Sequence, residues 1–226
     1  MTTLNIKGAI FDMDGTLVDS LTFWDWFWNE AGRKFLGKEN FNVGEEADKA
    51  VRTMTVAQAM PYVNSLFHFT ETDEEFIDYM RSTLRDYYKY KVPPKEGVIE
   101  LLDHLTAKGV KLCVASATDM DNLTFAMDVC GLLKYFDKIF SCADIGVGKD
   151  KPDIYLLAQK ELGLDISDIC VFEDSYVALE TAKKAGFKTV GIYDKFNYGQ
   201  DRLKFASDIY ISETDSIATL TKQVNP

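Results

Sequence analysis

The amino-acid sequence predicts an α/β fold, with a Rossmann-like parallel sheet core and an inserted all-helical cap domain. The first apolar run, from Ile6 to Phe11, has the length and composition of a central parallel strand. From residue 93 onward, strand-like apolar runs alternate with helical stripes, which is typical of a parallel sheet with right-handed crossovers. Between these two parts, residues 45 to 90 show helical spacing without strand-like alternation.

The cap is expected to start directly after the first strand and its turn. The run from Leu21 to Trp28 is too aromatic to be a linker, and Thr72 offers a capping residue for a later helix. Val92-Pro93-Pro94 marks the return to the core, because each proline restricts the residue before it and removes a backbone donor. The predicted division is a core at residues 1–18 and 93–226 and a helical cap at residues 19–92.

The remaining elements of the core follow from short apolar runs and helical stripes. The stripes end at Gly109, Gly163 and Gly186, and glycine commonly ends a helix because it accepts left-handed backbone angles. Strands are expected where apolar runs lie between these helices. The predicted strands are 110–115, 138–141, 169–172, 188–192 and 208–211.

Composition limits the class of protein and of partner. The 226 residues are 46% hydrophobic and 27% charged, which is enough to bury a full core. The net charge of -11 argues against nucleic acid and anionic membranes as partners, because both would be repelled. Without a membrane-length apolar run or a visible secretory signal, we expect a cytoplasmic protein, monomeric or weakly dimeric. The four cysteines form no Cys-x-x-Cys pair and are interpreted as small buried hydrophobes.

Two carboxylates follow the first strand at the point where it ends. Asp12 and Asp14 are two residues apart, and Gly15 supplies the backbone freedom of a tight turn. Ligands of open α/β sheets bind at this edge. Crowded carboxylates repel each other unless a cation lies between them or one holds a proton, and both outcomes suit phosphate chemistry. The alternative is a solvated Asp-Gly turn.

The string from Asp12 to Ser20, Asp-Met-Asp-Gly-Thr-Leu-Val-Asp-Ser, resembles the first motif of the haloacid dehalogenase superfamily of phosphohydrolases. With the helical insertion that follows, the chain looks most like the β-phosphoglucomutase-like branch. The resemblance implies that Asp12 is a nucleophile that forms an aspartyl-phosphate. It also implies that Asp14 protonates the leaving group and later activates water.

A second polar segment, Ser116-Ala117-Thr118, follows the next predicted strand of the core. A hydroxyl and successive N–H groups that open toward a helix form a phosphate nest, although Ser and Thr also cap helices. In the family that the chain resembles, a Ser or Thr at this strand end binds the phosphoryl group, and Ser116 matches it. We therefore expect residues 116–118 to bind phosphate.

The segment from Gly148 to Tyr155 resembles the third motif of the family. The motif lysine stands three residues before a proline, and this spacing selects Lys149. Lys151 remains the alternative, because the usual form has proline directly after the lysine and this chain has Asp150 there. The lysine is expected to neutralise a phosphoryl oxygen and the nucleophilic carboxylate together.

Glu173 and Asp174 end another predicted strand and resemble the fourth motif, whose acidic pair holds magnesium. Mg²⁺ prefers hard oxygen ligands in an octahedron that retains several waters. The resemblance implies a Mg²⁺ site formed by Asp12, Asp174 and the main-chain carbonyl of Asp14. Glu173 is expected to bind the metal directly or through water. An acidic pair at a helix start is the structural alternative.

The expected function is Mg²⁺-dependent hydrolysis of a small phosphate monoester, such as a sugar phosphate or a similar metabolite. The alternative is a phosphosugar mutase that resembles β-phosphoglucomutase. Those mutases carry a histidine in the first cap helix where this chain has Trp24, and residues 52–60 lack their Gly-x-Ser-Arg loop. A dehalogenase would need neither Asp14 nor Asp174. A phospho-aspartate receiver has no cap insertion and distributes its acids over different strands.

Overall fold

The core of the protein is a six-stranded parallel sheet, accompanied by a short parallel pair of strands. The structure is a computed structural model that describes residues 2–52, 54–69 and 71–226. The strands are β1 (Leu4–Asn5), β2 (Gly8–Phe11), β3 (Lys111–Ser116), β4 (Lys138–Ser141), β5 (Ile169–Glu173), β6 (Lys188–Ile192), β7 (Ile209–Ile211) and β8 (Val224–Asn225). The strand order in the sheet is β4-β3-β2-β5-β6-β7, and β1 pairs with β8.

Five of the described α-helices lie between β2 and β3 in the chain; the first four form the helical insertion, the fifth leads into β3, and the others lie between later strands of the sheet. This arrangement confirms the predicted fold class, a parallel sheet core with a helical cap insertion. The helices are α1 (Phe23–Ala31), α2 (Glu45–Val51), α3 (Val56–Phe67), α4 (Asp73–Lys91), α5 (Val98–Ala107), α6 (Met120–Val129), α7 (Cys142–Ile145), α8 (Asp153–Leu162), α9 (Tyr176–Lys184) and α10 (Gln200–Ala206).

Strand β2 is the centre of the sheet, and every residue from Gly8 to Phe11 is buried. It pairs with β3 on one side and with β5 on the other. The ring of Phe11 stacks on that of Phe172 in β5, with centroids 4.2 Å apart. Because the three strands are parallel and in register, the residues that follow them meet at one edge of the sheet.

The predicted first strand is shorter in the structure than in the sequence analysis. Ile6 is buried as expected, but its N–H donates to the carbonyl of Asn225 at 2.7 Å, so this part of the chain pairs with the C-terminal segment. The predicted run therefore contributes to two sheets. Hydrophobicity does not reveal this change, because Ile6 is as apolar and as buried as the residues of β2.

The cap helices pack around an aromatic centre. Phe23, Phe27 and Trp28 of α1 are buried, and Phe27 stacks on Phe76 of α4 with centroids 6.1 Å apart. The aromatic run at the start of the cap is thus mostly internal packing. Burial of several large aromatic side chains stabilises a small helical unit that lacks a sheet of its own.

Helix α4 connects the far end of the cap with the core. It begins at the predicted capping residue, where the Glu75 N–H donates to Thr72 Oγ1 at 3.2 Å and the Thr72 N–H donates to Glu75 Oε2 at 2.9 Å. The helix continues for 19 residues, so that Tyr88 in its last turns lies beside the sheet edge. Among the described residues, no helix has the length and apolar character needed to cross a bilayer.

The two segments that join cap and core run side by side. The Asp19 N–H donates to the Pro93 carbonyl at 3.1 Å, and the Lys95 N–H donates to the Leu17 carbonyl at 2.9 Å. These hydrogen bonds lie where the sequence suggests the domain boundaries. The division into residues 1–18 with 93–226 and residues 19–92 stays a prediction.

Candidate active site

A cavity of about 110 Å³ lies between the carboxyl ends of β2, β3 and β5 and the inner face of the cap. This is the edge of the sheet at which the sequence predicted the site. The predicted residues that line the cavity are Asp12, Asp14, Ser116, Ala117, Thr118, Lys149, Glu173 and Asp174. The alternative lysine, Lys151, is exposed and is not part of the lining.

Lys149 lies at the centre of the charged cluster. Its buried ammonium contacts Asp12 Oδ1 and donates to Glu173 Oε1 at 2.6 Å. Burial by itself lowers the pKa of Lys149, but the charges of Asp12 and Glu173 outweigh it and raise this pKa well above its usual value. Lys149 is therefore a fixed cation, and the geometry favours it over Lys151.

Asp12 directly follows the central strand, and its N–H donates to the Phe172 carbonyl at 2.9 Å. Burial raises the pKa of Asp12 well above its usual range, against the opposing charge of Lys149. The neighbouring carboxylates of Glu173, Asp174 and Asp14 raise this pKa further. A second cation near Asp12 would favour its ionised form.

Glu173 is oriented by three donors. Besides Lys149, the Tyr155 hydroxyl donates to Oε1 at 3.2 Å, and the Ser175 N–H donates to Oε2 at 3.1 Å. Tyr155 lies in α8, directly after the lysine loop, and is buried. Glu173 thus fixes the position of the lysine, whether or not it also contacts a metal ion.

Asp174 is held by two side chains from elsewhere in the core. Thr16 Oγ1 donates to its Oδ1 at 3.1 Å, and Asn197 Nδ2 donates to its Oδ2 at 2.7 Å. Burial raises the pKa of Asp174 to about 7, and the charges of Glu173 and Asp194 add to this effect. Gly15, with a φ of +81°, has no room for a side chain, because a Cβ would lie 2.3 Å from Asp174 Oδ2. The turn after Asp14 therefore packs directly against this carboxylate.

The donor set fits a hard divalent cation. Carboxylate oxygens of Asp12, Glu173 and Asp174 lie within 4.8 Å of one another, and all three residues are buried. Burial and mutual repulsion disfavour the ionised forms of Asp12 and Asp174. A bound cation would reverse both effects, since a nearby positive charge stabilises carboxylates.

Asp14 accepts hydrogen bonds from three hydroxyl groups. Ser20 and Tyr88 donate to its Oδ1 at 2.6 and 2.8 Å, and Thr118 donates to its Oδ2 at 2.7 Å. Burial raises the pKa of Tyr88 well above its usual value, and the charge of Asp14 adds to this effect. The Tyr88 hydroxyl therefore keeps its proton and acts as a donor to the carboxylate.

The segment 116–118 turns sharply at the end of β3. The Thr118 N–H donates to Ser116 Oγ at 3.1 Å, and the Thr118 carbonyl accepts from Ser141 Oγ at 2.7 Å. Ser116 Oγ acts as an acceptor in this turn, so its proton can point to a ligand in the cavity. Both the phosphate-nest and the turn interpretation of this segment are thus compatible with the observed contacts.

The loop 194–199, which follows β6, joins the charged cluster to the cap. Asn197 in this loop binds Asp174, while the carbonyl of Phe196 accepts from Arg52 Nη1 at 2.8 Å. The Tyr198 hydroxyl donates to Asp48 Oδ2 at 3.0 Å. Asp48 also accepts from Arg52 Nε at 2.7 Å, so the loop contacts an ion pair in the cap.

The cap side of the cavity is mainly apolar. Trp24 lies on this side and packs against Trp28, with ring centroids 5.6 Å apart. It therefore belongs both to the cap packing and to the cavity wall. The apolar residues that line the cavity from this side are Leu21, Phe23, Trp24, Val51, Met54, Val56, Ala59, Met80 and Leu84.

Sequence reasoning missed several side chains that contact the site. Asn197 follows a strand of the sheet within a polar run, so the strand-end rule that selected Asp174 would also have found it. Tyr155 and Tyr88 lie within helices and carry no such signal. Their positions depend on how α8 and α4 pack against the sheet.

A parallel sheet core with a helical insertion and a lysine held between buried carboxylates fits an enzyme that acts on phosphoryl groups. Residues 6–186 match the family model described as haloacid dehalogenase-like hydrolase. The chain belongs to this family of hydrolases, and the relatives that it resembles include phosphoric monoester hydrolases and a β-phosphoglucomutase. The resemblance seen in the sequence motifs is confirmed.

Relatives that match nearly the whole chain include both phosphatases and a mutase. The phosphorylated carbohydrates phosphatase of Thermotoga maritima is 25% identical over 220 residues, covering 97% of this chain and 100% of the relative. The β-phosphoglucomutase of Bacillus subtilis is 22% identical over 217 residues, covering 94% and 92%. CbbY from Rhodobacter sphaeroides, solved in complex with phosphate, has a TM-score of 0.81 at 22% identity, covering 95% and 96%. This likeness shows the shared fold.

Proposed function

We propose that the protein is a Mg²⁺-dependent phosphatase of small phosphate monoesters that works through an aspartyl-phosphate. One observation carries the proposal: Asp12 directly contacts a buried lysine, while Asp14 lies in the same cavity and accepts three hydroxyl hydrogen bonds. A nucleophile paired with a fixed cation and a neighbouring proton carrier are the groups that this chemistry requires.

In the first step, a carboxylate oxygen of Asp12 attacks phosphorus in line, and the bond from phosphorus to the leaving oxygen breaks. Asp14 gives its proton to that oxygen. In the second step, water attacks the phosphorus of the aspartyl-phosphate while Asp14 takes a proton from it. The bond between phosphorus and the Asp12 oxygen breaks, inorganic phosphate leaves, and the Asp12 carboxylate and the protonated Asp14 are restored.

The charged groups at the strand ends stabilise the transferring phosphoryl group. Lys149, the Ser116 hydroxyl and the Ala117 N–H bind its equatorial oxygens, which supplies much of the stabilisation in phosphoryl transfer, while Thr118 shapes the turn and binds Asp14. Asp12, Asp174 and the carbonyl of Asp14 would hold Mg²⁺, with Glu173 in contact directly or through water. The bound ion would supply further positive charge next to the phosphoryl oxygens.

The substrate class that we propose is a small phosphorylated metabolite, such as a sugar phosphate. Support comes from the relatives, among them a phosphatase named for phosphorylated carbohydrates and one named for hexitols. The net charge of -11 supports a small substrate over nucleic acid. A cytoplasmic location and a monomeric or weakly dimeric state stay predictions.

The competing function is a phosphosugar mutase, which a mutase relative supports. A mutase must protect its phosphoenzyme from water until the intermediate has turned over. Asp14 already has three hydroxyl partners, while Trp24, at the position of the mutase histidine, packs in the cap wall. We therefore favour hydrolysis.

Phosphate release from p-nitrophenyl phosphate, measured with Mg²⁺ and then with excess EDTA, tests the proposal. We expect turnover that EDTA abolishes and that Mg²⁺ restores, and EDTA-resistant turnover would contradict the metal site. A second reaction contains β-glucose 1-phosphate with a trace of the bisphosphate. Glucose 6-phosphate formed faster than inorganic phosphate would establish the mutase instead.

A further inference from the structure

Tyr88 brings a cap side chain into contact with the proton-carrying group of the core. It lies near the end of α4 and is 1% exposed, and its hydroxyl donates to Asp14 Oδ1 at 2.8 Å. The two residues are 74 positions apart in the chain. A tyrosine hydroxyl in a dry environment costs free energy unless it has a partner, and Asp14 is that partner.

The three partners of Asp14 come from different parts of the molecule. Ser20 belongs to the segment that leaves the core, and Thr118 follows β3. Tyr88 is the partner that a cap helix supplies. Its hydroxyl shares Oδ1 with Ser20, whereas Thr118 binds Oδ2, so the three donors fix the rotation of the carboxylate plane.

We propose that Tyr88 is a positioning residue that holds the Asp14 carboxylate in the orientation for both proton transfers. This inference rests on the proposed function. Asp14 must reach the leaving oxygen in the first step and the attacking water in the second. A carboxylate that rotates freely about its Cβ–Cγ bond spends less time in either geometry, so loss of one donor slows both steps.

The test is the variant Tyr88→Phe, which keeps the ring and removes the hydroxyl. With an alkyl phosphate, we expect kcat to fall about tenfold to a hundredfold with little change in KM, because both steps need Asp14. With p-nitrophenyl phosphate the leaving group needs no proton, so only the second step is slowed. We therefore expect a burst of p-nitrophenolate, followed by slow turnover, and phosphoenzyme that accumulates after an acid quench.

Tyr87→Phe is the matched control. Tyr87 precedes Tyr88 in α4 and is also buried, but the Tyr87 hydroxyl pairs with Thr22 within the cap. We expect this variant to keep activity within about twofold of wild type and to show no new burst. The reason is that loss of the Tyr87 hydroxyl lowers the stability of the cap but leaves the hydrogen bonds of Asp14 intact. Thermal unfolding of both variants checks that they fold. If Tyr88→Phe does not fold, Tyr88→Met, which also lacks the hydroxyl, takes its place in the same measurements.

The outcomes separate this inference from the proposed function. Unchanged activity in Tyr88→Phe overturns the positioning role. Equal losses with both substrates and no phosphoenzyme accumulation also overturn it, because they indicate a packing defect. A wild-type protein that releases no phosphate in the presence of Mg²⁺ overturns the proposed function itself, whatever the variants do.

Discussion

The two walls of the cavity differ in chemistry and in origin. The strand-end wall carries the carboxylates, the lysine and the hydroxyls, which are hydrogen-bonded to one another and to neighbouring side chains of the core. The cap wall is formed by aliphatic and aromatic side chains from several helices. From this difference we propose that the core performs the phosphoryl chemistry, while the cap excludes water and selects the leaving group.

Besides Ser20 and Asp48, described above, two longer polar side chains of the cap cross this divide. Tyr88 binds Asp14, and Arg52 binds the loop that also contacts Asp174. Both therefore act on the charged wall, and the remaining cap surface offers a substrate few hydrogen-bond partners among the described residues. The predictions below test whether chemistry and selection are separated in this way.

The largest effect is expected for Asp12→Asn. The amide is nearly isosteric but cannot attack phosphorus, so turnover should fall by about a thousandfold or more while the fold is retained. Asp25→Asn, an exposed position on α1, is the control and should leave turnover unchanged. Activity of Asp12→Asn within tenfold of wild type would contradict its role as nucleophile. Steady-state phosphate release and thermal unfolding are the measurements.

The second-largest effect is the difference in kcat that we expect between substitutions of the two lysines of the third motif. Lys149→Met removes the cation that contacts Asp12 and Glu173, so we expect kcat to fall about a hundredfold or more. Lys151→Met changes an exposed side chain and should keep kcat within about twofold. If Lys151→Met lost more activity than Lys149→Met, Lys151 would be the lysine of the third motif.

The apolar cap wall predicts a preference for substrates with fewer hydroxyl groups. We expect kcat/KM for 2-deoxyribose 5-phosphate to exceed that for ribose 5-phosphate by about tenfold. The reason is that a buried hydroxyl without a partner costs about 1–3 kcal/mol. The two sugars differ by one hydroxyl, so the ratio isolates this effect. A preference for ribose 5-phosphate would show that the cap recognises hydroxyl groups.

The smallest effect concerns stability and pH. Burial raises the pKa of Asp174 to about 7 in the native protein, whereas in the unfolded chain this pKa is about 4. Between these two pH values, Asp174 is protonated in the native protein and ionised in the unfolded chain. The contribution of Asp174 to the free energy of unfolding is therefore greatest at low pH and falls as the pH rises toward 7. In EDTA, we expect Tm to decrease by a few degrees from pH 5 to pH 8.

Asp174→Asn is the control for this pH dependence. The variant lacks the titrating group, so its Tm should depend less on pH and exceed that of wild type at pH 8 in EDTA. Mg²⁺ should raise the Tm of wild type at pH 8 and have less effect on the variant. A wild-type Tm that rises from pH 5 to pH 8 would mean that the negative charge of Asp174 is not destabilising in the metal-free protein.

The sequence was informative about one wall of the cavity and silent about the other. Asp12, Ser116 and Asp174 could be predicted because they follow parallel strands, whose carboxyl ends always converge. Their convergence could therefore be predicted although they are far apart in the chain. The placement of Tyr88 depends on the length of α4 and on the angle at which α4 packs against the core. The apolar periodicity of a helix predicts neither of these. The short β1–β8 pair was missed for a related reason, since two-residue strands carry too little pattern.

The loop 194–199 limits how freely this enzyme could exchange its cap in evolution or in the laboratory. It holds Asp174 through Asn197 on one side and contacts Arg52 and Asp48 on the other. A chimera that received a foreign helical insertion between the two joining segments would leave Phe196 and Tyr198 without their partners, although the strand ends were untouched. Transplanting the loop together with the insertion would preserve these contacts, so the unit of recombination is larger than the insertion itself.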